Sequence, residues 1–356
     1  YLTHPFKSAR DNVPLNSRLE IYKEGQLVKT IKGPKSFGPE ILFFIKDLFS
    51  TLFYFLFLQK KFDIYFGFNN LDAFAGIILK KMGRVDKVVY YVIDYVPKRF
   101  NNPLLDKIYH WADFYCVKNA DWTWNLSDEM AKARERDGLA EKYLKKQITV
   151  PVGCHPMKTS LHTKHVENRL VFLGNLTKDQ GIDLLIESMI DIITVIQKVK
   201  LIIIGSGDKE SYLKNRVSKL KLENFVEFRG FIRDNSEVNR VLASCDIGVA
   251  PYVLSKNSFK HYTDPGKIKT YLGSGLPIVM TNISNIAKVI REKNAGIVIN
   301  DTKKDITGSI IKILSDQNLY TNLRQNAIAL AKHYEWKTVF DNAFMSLKSR
   351  GAGSNA

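Results

Sequence analysis

Arg169-Leu170-Val171-Phe172-Leu173-Gly174-Asn175-Leu176-Thr177-Lys178-Asp179-Gln180-Gly181 is the stretch on which the fold turns. A short apolar run without alternation ends at a glycine. A polar turn follows, and a second glycine opens the helical pattern Ile182–Val195. A strand that does not alternate is buried on both faces, and a helix directly after it is the signature of a parallel sheet. The same unit recurs downstream. Val199–Ile204 reads as a strand, then Gly205-Ser206-Gly207, then helix Glu210–Leu220. Val226–Gly230 and helix Ser236–Ala243 come next, followed by strand Ile247–Ala250, helix Lys267–Leu272, strand Pro277–Thr281, helix Ile283–Glu292 and strand Ile297–Ile299. Helices Asp305–Leu314, Asn318–Lys332 and Trp336–Lys348 close the chain. This half predicts a doubly wound parallel sheet.

Upstream the alternation is similar. Arg18–Tyr22 and Gln26–Ile31 flank Lys23-Glu24-Gly25, a hairpin signal. An aromatic helix over Ile41–Leu58, opened by Pro39, is followed by strand Phe62–Phe68, helix Leu71–Met82 and strand Lys87–Ile93. Helix Asn102–Asp113, strand Trp122–Asn125, helix Asp128–Arg136 with Ser127 at its N-cap, and strand Ile148–Val152 complete the half. The pattern lapses between Gly153 and Asn168, where Cys154, His155, His162 and His165 crowd a polar linker without the spacing of a structural zinc motif.

At 356 residues the chain suits two domains. The expected layout is an N-terminal Rossmann-like domain over 1–153, a linker over 154–168, a C-terminal Rossmann-like domain over 169–333 and a final helix over 334–350. Three scattered cysteines, Cys116, Cys154 and Cys245, make no disulfide framework and favour a reducing compartment. The opening Tyr-Leu-Thr-His-Pro-Phe reads as the tail of a buried strand and not as a signal peptide. The net charge of +17 is spread over both halves, with 24 basic and 17 acidic groups in residues 1–150 and 29 and 19 in the remainder. A diffuse excess suits phosphorylated substrates or an anionic membrane face, whereas a nucleic-acid binder would need a basic and aromatic motif that is absent. The Ile41–Leu58 run is broken by Lys46 and Asp47, so it does not read as a span, which needs roughly 20 mostly uncharged residues. Two readings stay open: burial in the first domain, or partial presentation to a bilayer surface.

Ligands of open parallel sheets collect at the carboxyl ends of strands. Three loops stand there in the second half. Gly174–Gly181 and Gly205-Ser206-Gly207 each open a helix whose N-terminal amides suit a phosphate, with Lys178 to add charge. Thr263-Asp264-Pro265-Gly266-Lys267 is the third: Gly266 permits close backbone approach, and Lys267 at the helix start meets a diphosphate as a point charge.

Five ordered segments resemble the retaining glycosyltransferases of family 4, which have the two-domain GT-B architecture. They are 172–186, Ile203–Gly207, Val226–Ile232, Leu242–Tyr252 and Asp264–Val279. The resemblance continues at Val150-Pro151-Val152-Gly153 and at Tyr334-Glu335-Trp336, before a helix that crosses back onto the first domain in relatives. It implies an α/β fold of two doubly wound domains facing a cleft. It implies a sugar-nucleotide donor whose diphosphate lies near Gly174, Lys178 and Lys267, with Asn175, Gly205, Gly207, Asp264 and Gly266 also among the donor-binding residues. The base would lie against Phe231–Ile232 and the ribose near Thr270. The sequence departs from the family where Arg is usual at Asn175, Lys at Gln180, and a glutamate pair at Tyr262 and Thr270. It carries an Asp-Pro-x-Lys loop instead.

The reaction implied is sugar transfer with retention, the leaving diphosphate being stabilised by lysines and helix ends without a metal or other cofactor. On the acceptor side Asp94 either contacts the sugar or acceptor or pairs with Arg99, and Asn69 is a second polar candidate, while Asp72 reads as a helix cap. The acceptor class is a glycan or lipid-linked molecule. The location is cytoplasmic, with peripheral attachment to the inner membrane face left open. A catalytically degenerate nucleotide-sugar-binding scaffold and a sugar-nucleotide epimerase are the alternatives.

Overall fold

A computed structural model describes residues 1–4, 16–35, 40–58, 60–95, 97–156, 168–254 and 258–352. Pro39, His162, His165 and most of the expected linker lie outside the described residues. The chain divides into two compact units, Tyr1–Asn125 with Met130–Thr149, and Leu126–Glu129 with Val150–Ala356.

The first unit begins with β1 (Leu2–Thr3), β2 (Asn16–Lys23) and β3 (Gln26–Lys35), an antiparallel sheet in that order. Glu24 and Gly25 join β2 to β3 with φ of 52° and 79°, the doubly left-handed turn whose twist matches a two-residue hairpin. There follow α1 (Glu40–Phe57), β4 (Phe62–Gly67), α2 (Asn70–Lys81), β5 (Val85–Val92), α3 (Pro103–Asn119), β6 (Trp122–Asn125), α4 (Asp128–Arg136), α5 (Glu141–Leu144) and β7 (Gln147–Thr149). Strands β4 to β7 pair in parallel in chain order, so this sheet has no point where the order reverses. The short α5 carries no apolar stripe and was not foreseen from the sequence. Beneath the sheet Arg134 and Asp113 are both fully buried, joined by Nε to Oδ2 at 2.6 Å and Nη2 to Oδ1 at 2.8 Å. Asn125 Oδ1 accepts from Nη1 at 2.8 Å and the Tyr90 hydroxyl donates to Asp113 at 2.7 Å. A buried ion pair is tolerable when its remaining hydrogen-bonding groups are met in this way.

The second unit holds β8 (Arg169–Leu173), α6 (Ile182–Val195), β9 (Lys200–Ile204), α7 (Glu210–Lys219), β10 (Val226–Gly230), α8 (Asn235–Ala243) and β11 (Ile247–Ala250). It continues with α9 (Gly266–Gly273), β12 (Ile278–Thr281), α10 (Asn285–Glu292), β13 (Gly296–Ile299), α11 (Lys303–Ser315), α12 (Gln317–His333) and α13 (Trp336–Ala352). The six strands are all parallel in the order β10-β9-β8-β11-β12-β13. Alternate residues of the inner strands enter separate cores: Val171, Ile202 and Ala250 on one face, Phe172, Ile203 and Val249 on the other. Burial on both faces explains why these strands read as continuous apolar runs. The order reverses between β8 and β11, which opens a crevice beyond their carboxyl ends. The segment before the undescribed residues is tied into this unit: the Cys154 amide donates to Tyr334 O at 2.6 Å, and the Trp336 amide to Cys154 O at 3.2 Å.

Candidate functional site

The crevice between β8 and β11 is floored by glycines whose conformations admit no side chain. Gly174 has φ of 145°, and a Cβ built there would stand 2.8 Å from Lys267 Nζ. Gly205 has φ of 141°, and its Cβ would lie 1.8 Å from Gly174 O. Backbone bonds stitch the three loops edge to edge: Gly174 N to Ile204 O at 2.9 Å, Leu176 N to Ser206 O at 3.0 Å, and Gly205 N to Gly230 O at 2.7 Å. Gly181, at φ 69°, packs on the loop after β11, where an added Cβ would meet Pro251 O at 1.7 Å. The carboxyl ends of β8 and β11 are therefore locked side by side.

Lys267, at the start of α9, reaches into this crevice. Its Nζ donates to Gln180 Oε1 at 2.7 Å and stands 4.0 Å from the Phe172 ring centroid and 5.0 Å from that of Tyr252. Among the described residues no carboxylate is ion-paired to it. Desolvation, with the charge of Lys260 nearby, holds this amine well below the usual lysine range, and Asp179 opposes the shift. Lys260 itself is buried, donates to Asp179 O and Oδ2 at 2.7 Å each, and lies 4.4 Å from the Tyr252 centroid. Burial would raise the Asp179 carboxyl, but the Lys260 and Thr177 hydrogen bonds hold it below its ordinary value. Two amines thus face one carboxylate beneath glycine loops and the first turn of α9. A bound anion there would favour the charged form of Lys267, which desolvation and the Lys260 charge now disfavour.

The other sequence-named residues fall into two groups. Asn175, Lys178, Gly207 and Gly266 are exposed around the crevice, and Phe231 is exposed beside half-buried Ile232 after β10. Asp264 has an internal task instead: Oδ1 takes Lys269 Nζ at 2.6 Å and Oδ2 accepts the Val152 amide at 2.8 Å. Both oxygens are committed, so Asp264 anchors the loop that presents Gly266 and Lys267 and does not itself face a ligand. Thr270 turns its hydroxyl back to Gly266 O at 3.1 Å, which steadies the first turn of α9. Lys260 and Tyr252 were not named from sequence, because only the β8–β11 adjacency brings them to Gln180, which entered only as a departure from the family's usual lysine.

In the first unit Asp94 is ion-paired to Arg99, and its carbonyl accepts from the Tyr109 hydroxyl at 3.0 Å. This is the second of the two readings left open for Asp94. Asn69 is the N-cap of α2, its Oδ1 accepting the Asp72 amide at 2.9 Å while its Nδ2 donates to Asp72 Oδ2 at 2.7 Å. The cap is therefore Asn69 and not Asp72, because the first helical amides point at the residue before the helix. Desolvation, with Asp47 nearby, pushes the Asp72 carboxyl up to about 6 against the opposing His4 and Asn69.

A family model described as Glycosyl transferases group 1 matches residues 167–316, which contain β8 to β13 and the whole crevice. This stretch is a group 1 glycosyltransferase domain. An uncharacterized glycosyltransferase of Methanocaldococcus jannaschii is 26% identical over 185 residues, 51% of this chain and 45% of the relative. A chitobiosyldiphosphodolichol beta-mannosyltransferase of Candida albicans is 22% identical over 152 residues, 41% of this chain and 32% of the relative. The chain thus matches less than half the length of these relatives. Among solved structures, Anabaena Alr3699/HepE in complex with UDP superposes with a TM-score of 0.67 at 16% identity, over 86% of this chain and 82% of that one. The likeness establishes the GT-B fold, with its two Rossmann-like domains.

Proposed function

We propose that the protein is a glycosyltransferase that moves a hexose from a nucleotide-diphosphate donor to a glycan or lipid-linked acceptor with retention of anomeric configuration. The observation that carries the proposal is the Lys267 amine at the switch point, desolvated and without a carboxylate partner, inside the group 1 domain. A donor diphosphate placed against Gly174, Gly205 and the start of α9 would favour the charged form of Lys267 against its desolvation. It would draw in Lys178 as a second cation. Negative charge grows on this diphosphate as the sugar leaves, so fixed cations and amide dipoles stabilise the transition state more than the ground state. No metal is required in this scheme, since lysines and helix ends carry the compensating charge. Phe231 and Ile232 would flank the base and Thr270 the ribose. Retention rests on the resemblance to family 4. Asp94 becomes available to the sugar or acceptor only where Arg99 releases it.

UDP is the first nucleotide to test, since the HepE complexes contain UDP or UDP-glucose. A panel of sugar nucleotides screened by thermal shift, then by nucleoside diphosphate release with glycan and lipid acceptors, tests the proposal. Stabilisation by one donor with acceptor-dependent release is the expected result. No shift with any nucleotide would sink it. A shift without turnover on any acceptor would favour the scaffold reading, which Asn175, Gln180, Tyr262 and Thr270 motivate by replacing the usual clamp.

A further inference from the structure

Helix α1 is built with its polar side inward. Phe43, Asp47, Ser50, Thr51 and Tyr54 are buried, and Asp47 and Thr51 find partners within the first unit. Lys46 Nζ reaches Asp47 Oδ1 at 2.6 Å and Ser17 Oγ at 2.8 Å; His4 lies 3.2 Å from Asp47 through Nδ1 and 2.9 Å from Thr51 Oγ1 through Nε2. The opposite side is apolar except at Lys46, whose amine is turned back to Asp47 and Ser17. Leu42, Ile45, Phe49, Phe53 and Phe57 are exposed, the three phenylalanines at 67%, 62% and 65%, and Leu48, Leu52 and Leu56 lie half-buried between them. Spacings of three and four residues put these on one stripe, about 24 Å long at 1.5 Å per residue. Phe53 and Phe57 stack on each other at 6.0 Å, offering no polar atom to water. The three phenylalanines alone expose on the order of 400 Å² of apolar surface, which a helix at a water boundary does not leave open without a partner.

Charge identifies the partner. Between Asn16 and Lys61 the chain carries eight Lys and Arg against four Asp and Glu. Lys29, Lys32 and Lys35 are exposed on β3, whose Gly33 sits against α1 (its Cβ would lie 2.5 Å from Tyr54 Oη), and exposed Lys60 and Lys61 follow the helix directly. An apolar aromatic stripe that ends at Lys60 and Lys61, the latter shared with Asp86, on a helix backed by a lysine-rich strand, fits acyl chains beneath anionic headgroups. No helix among the described residues is long and apolar enough to cross a membrane. We propose that α1 lies flat in the surface of an anionic lipid bilayer, its Leu42–Phe57 stripe inserted and the lysines of β3 and of the helix end held at the headgroups. This goes beyond the transfer reaction and does not depend on it.

The test is co-sedimentation of the full chain with vesicles of phosphatidylcholine alone and of phosphatidylcholine with phosphatidylglycerol, at low and high salt. Binding to the anionic vesicles that weakens with salt is expected. The triple variant F49S/F53S/F57S should lose at least about tenfold in partition, while K29E/K32E/K35E should lose anionic binding selectively. A single variant, F53W, serves should the triple one fail to fold: its emission should move to the blue on anionic vesicles and be quenched by brominated acyl chains. Failure of the wild-type chain to bind anionic vesicles would overturn the proposal. So would undiminished binding by a folded triple variant, an unchanged F53W spectrum, or a stable dimer in gel filtration that the triple variant alone dissolves.

Discussion

Replacing Lys267 by methionine should make the protein more stable and less able to bind a nucleotide. The side chain keeps its apolar stem and loses the amine, together with that amine's contacts over the Phe172 and Tyr252 rings. Two effects oppose each other. Gln180 Oε1 loses its donor, which costs about 1 kcal/mol. Removing a desolvated cation in favour of an apolar group of like volume gains about 1–4 kcal/mol. Lys267 keeps some contact with solvent, so a net gain of about 1–2 kcal/mol is expected, or a Tm rise of roughly 2–8 °C for a domain of this size. The diphosphate loses a charge-assisted partner worth about 2–5 kcal/mol, an affinity drop of at least about thirtyfold. Differential scanning calorimetry and UDP titration calorimetry read both numbers on one preparation. Unchanged affinity would mean the diphosphate does not sit at Lys267. Loss of stability together with affinity would make Lys267 a structural residue and remove the reason to look for an anion there.

Proton linkage gives a further expectation. Lys267 is held below its unfolded value, so the unfolded chain binds the extra proton and stability rises with pH between the folded pKa and about 10.4; the advantage of K267M should shrink over that window, as denaturation midpoints across pH would show. UDP binding to the wild-type chain should take up close to one proton above the folded pKa, detected by calorimetry in buffers of different ionisation enthalpy, and K267M should take up less. D264N leaves Lys269 with a weaker partner in a buried place and should cost about 3–5 kcal/mol in urea unfolding, whereas exposed K178A should leave the midpoint unmoved and reduce UDP affinity about tenfold. G205A drives a Cβ into Gly174 O and should lower both stability and nucleotide binding, by 2 kcal/mol or more on an order-of-magnitude basis.

The sheet of the second unit was legible because burial on both faces leaves an apolar run, as at Ile247–Ala250; that strand, helix Ile182–Val195 and edge strand Val226–Gly230 carry the same bounds in sequence and structure. Gly174 and Lys267, 93 positions apart, could be nominated separately as a strand-end glycine and a helix-start cation. Their meeting was implied only by the family resemblance, because the residues alone do not show that β8 lies beside β11. The partners of Asp264 were equally hidden: Lys269 is on the next turn, but Val152 comes from far upstream. Helix α1 misleads for a different reason. Its aromatic richness suits a core, yet Asp47, Ser50, Thr51 and Tyr54 share one face, and whether that face turns inward depends on His4, Ser17 and Lys46 satisfying it.

The most direct measurement is a structure of the protein with bound UDP. The diphosphate should lie in the β8–β11 crevice, within about 3 Å of Lys267 Nζ, against the backbone at Gly174, with the Lys267–Gln180 hydrogen bond released. A diphosphate bound elsewhere, or a crevice still closed by the Lys267–Gln180 contact at saturating UDP, would contradict the account.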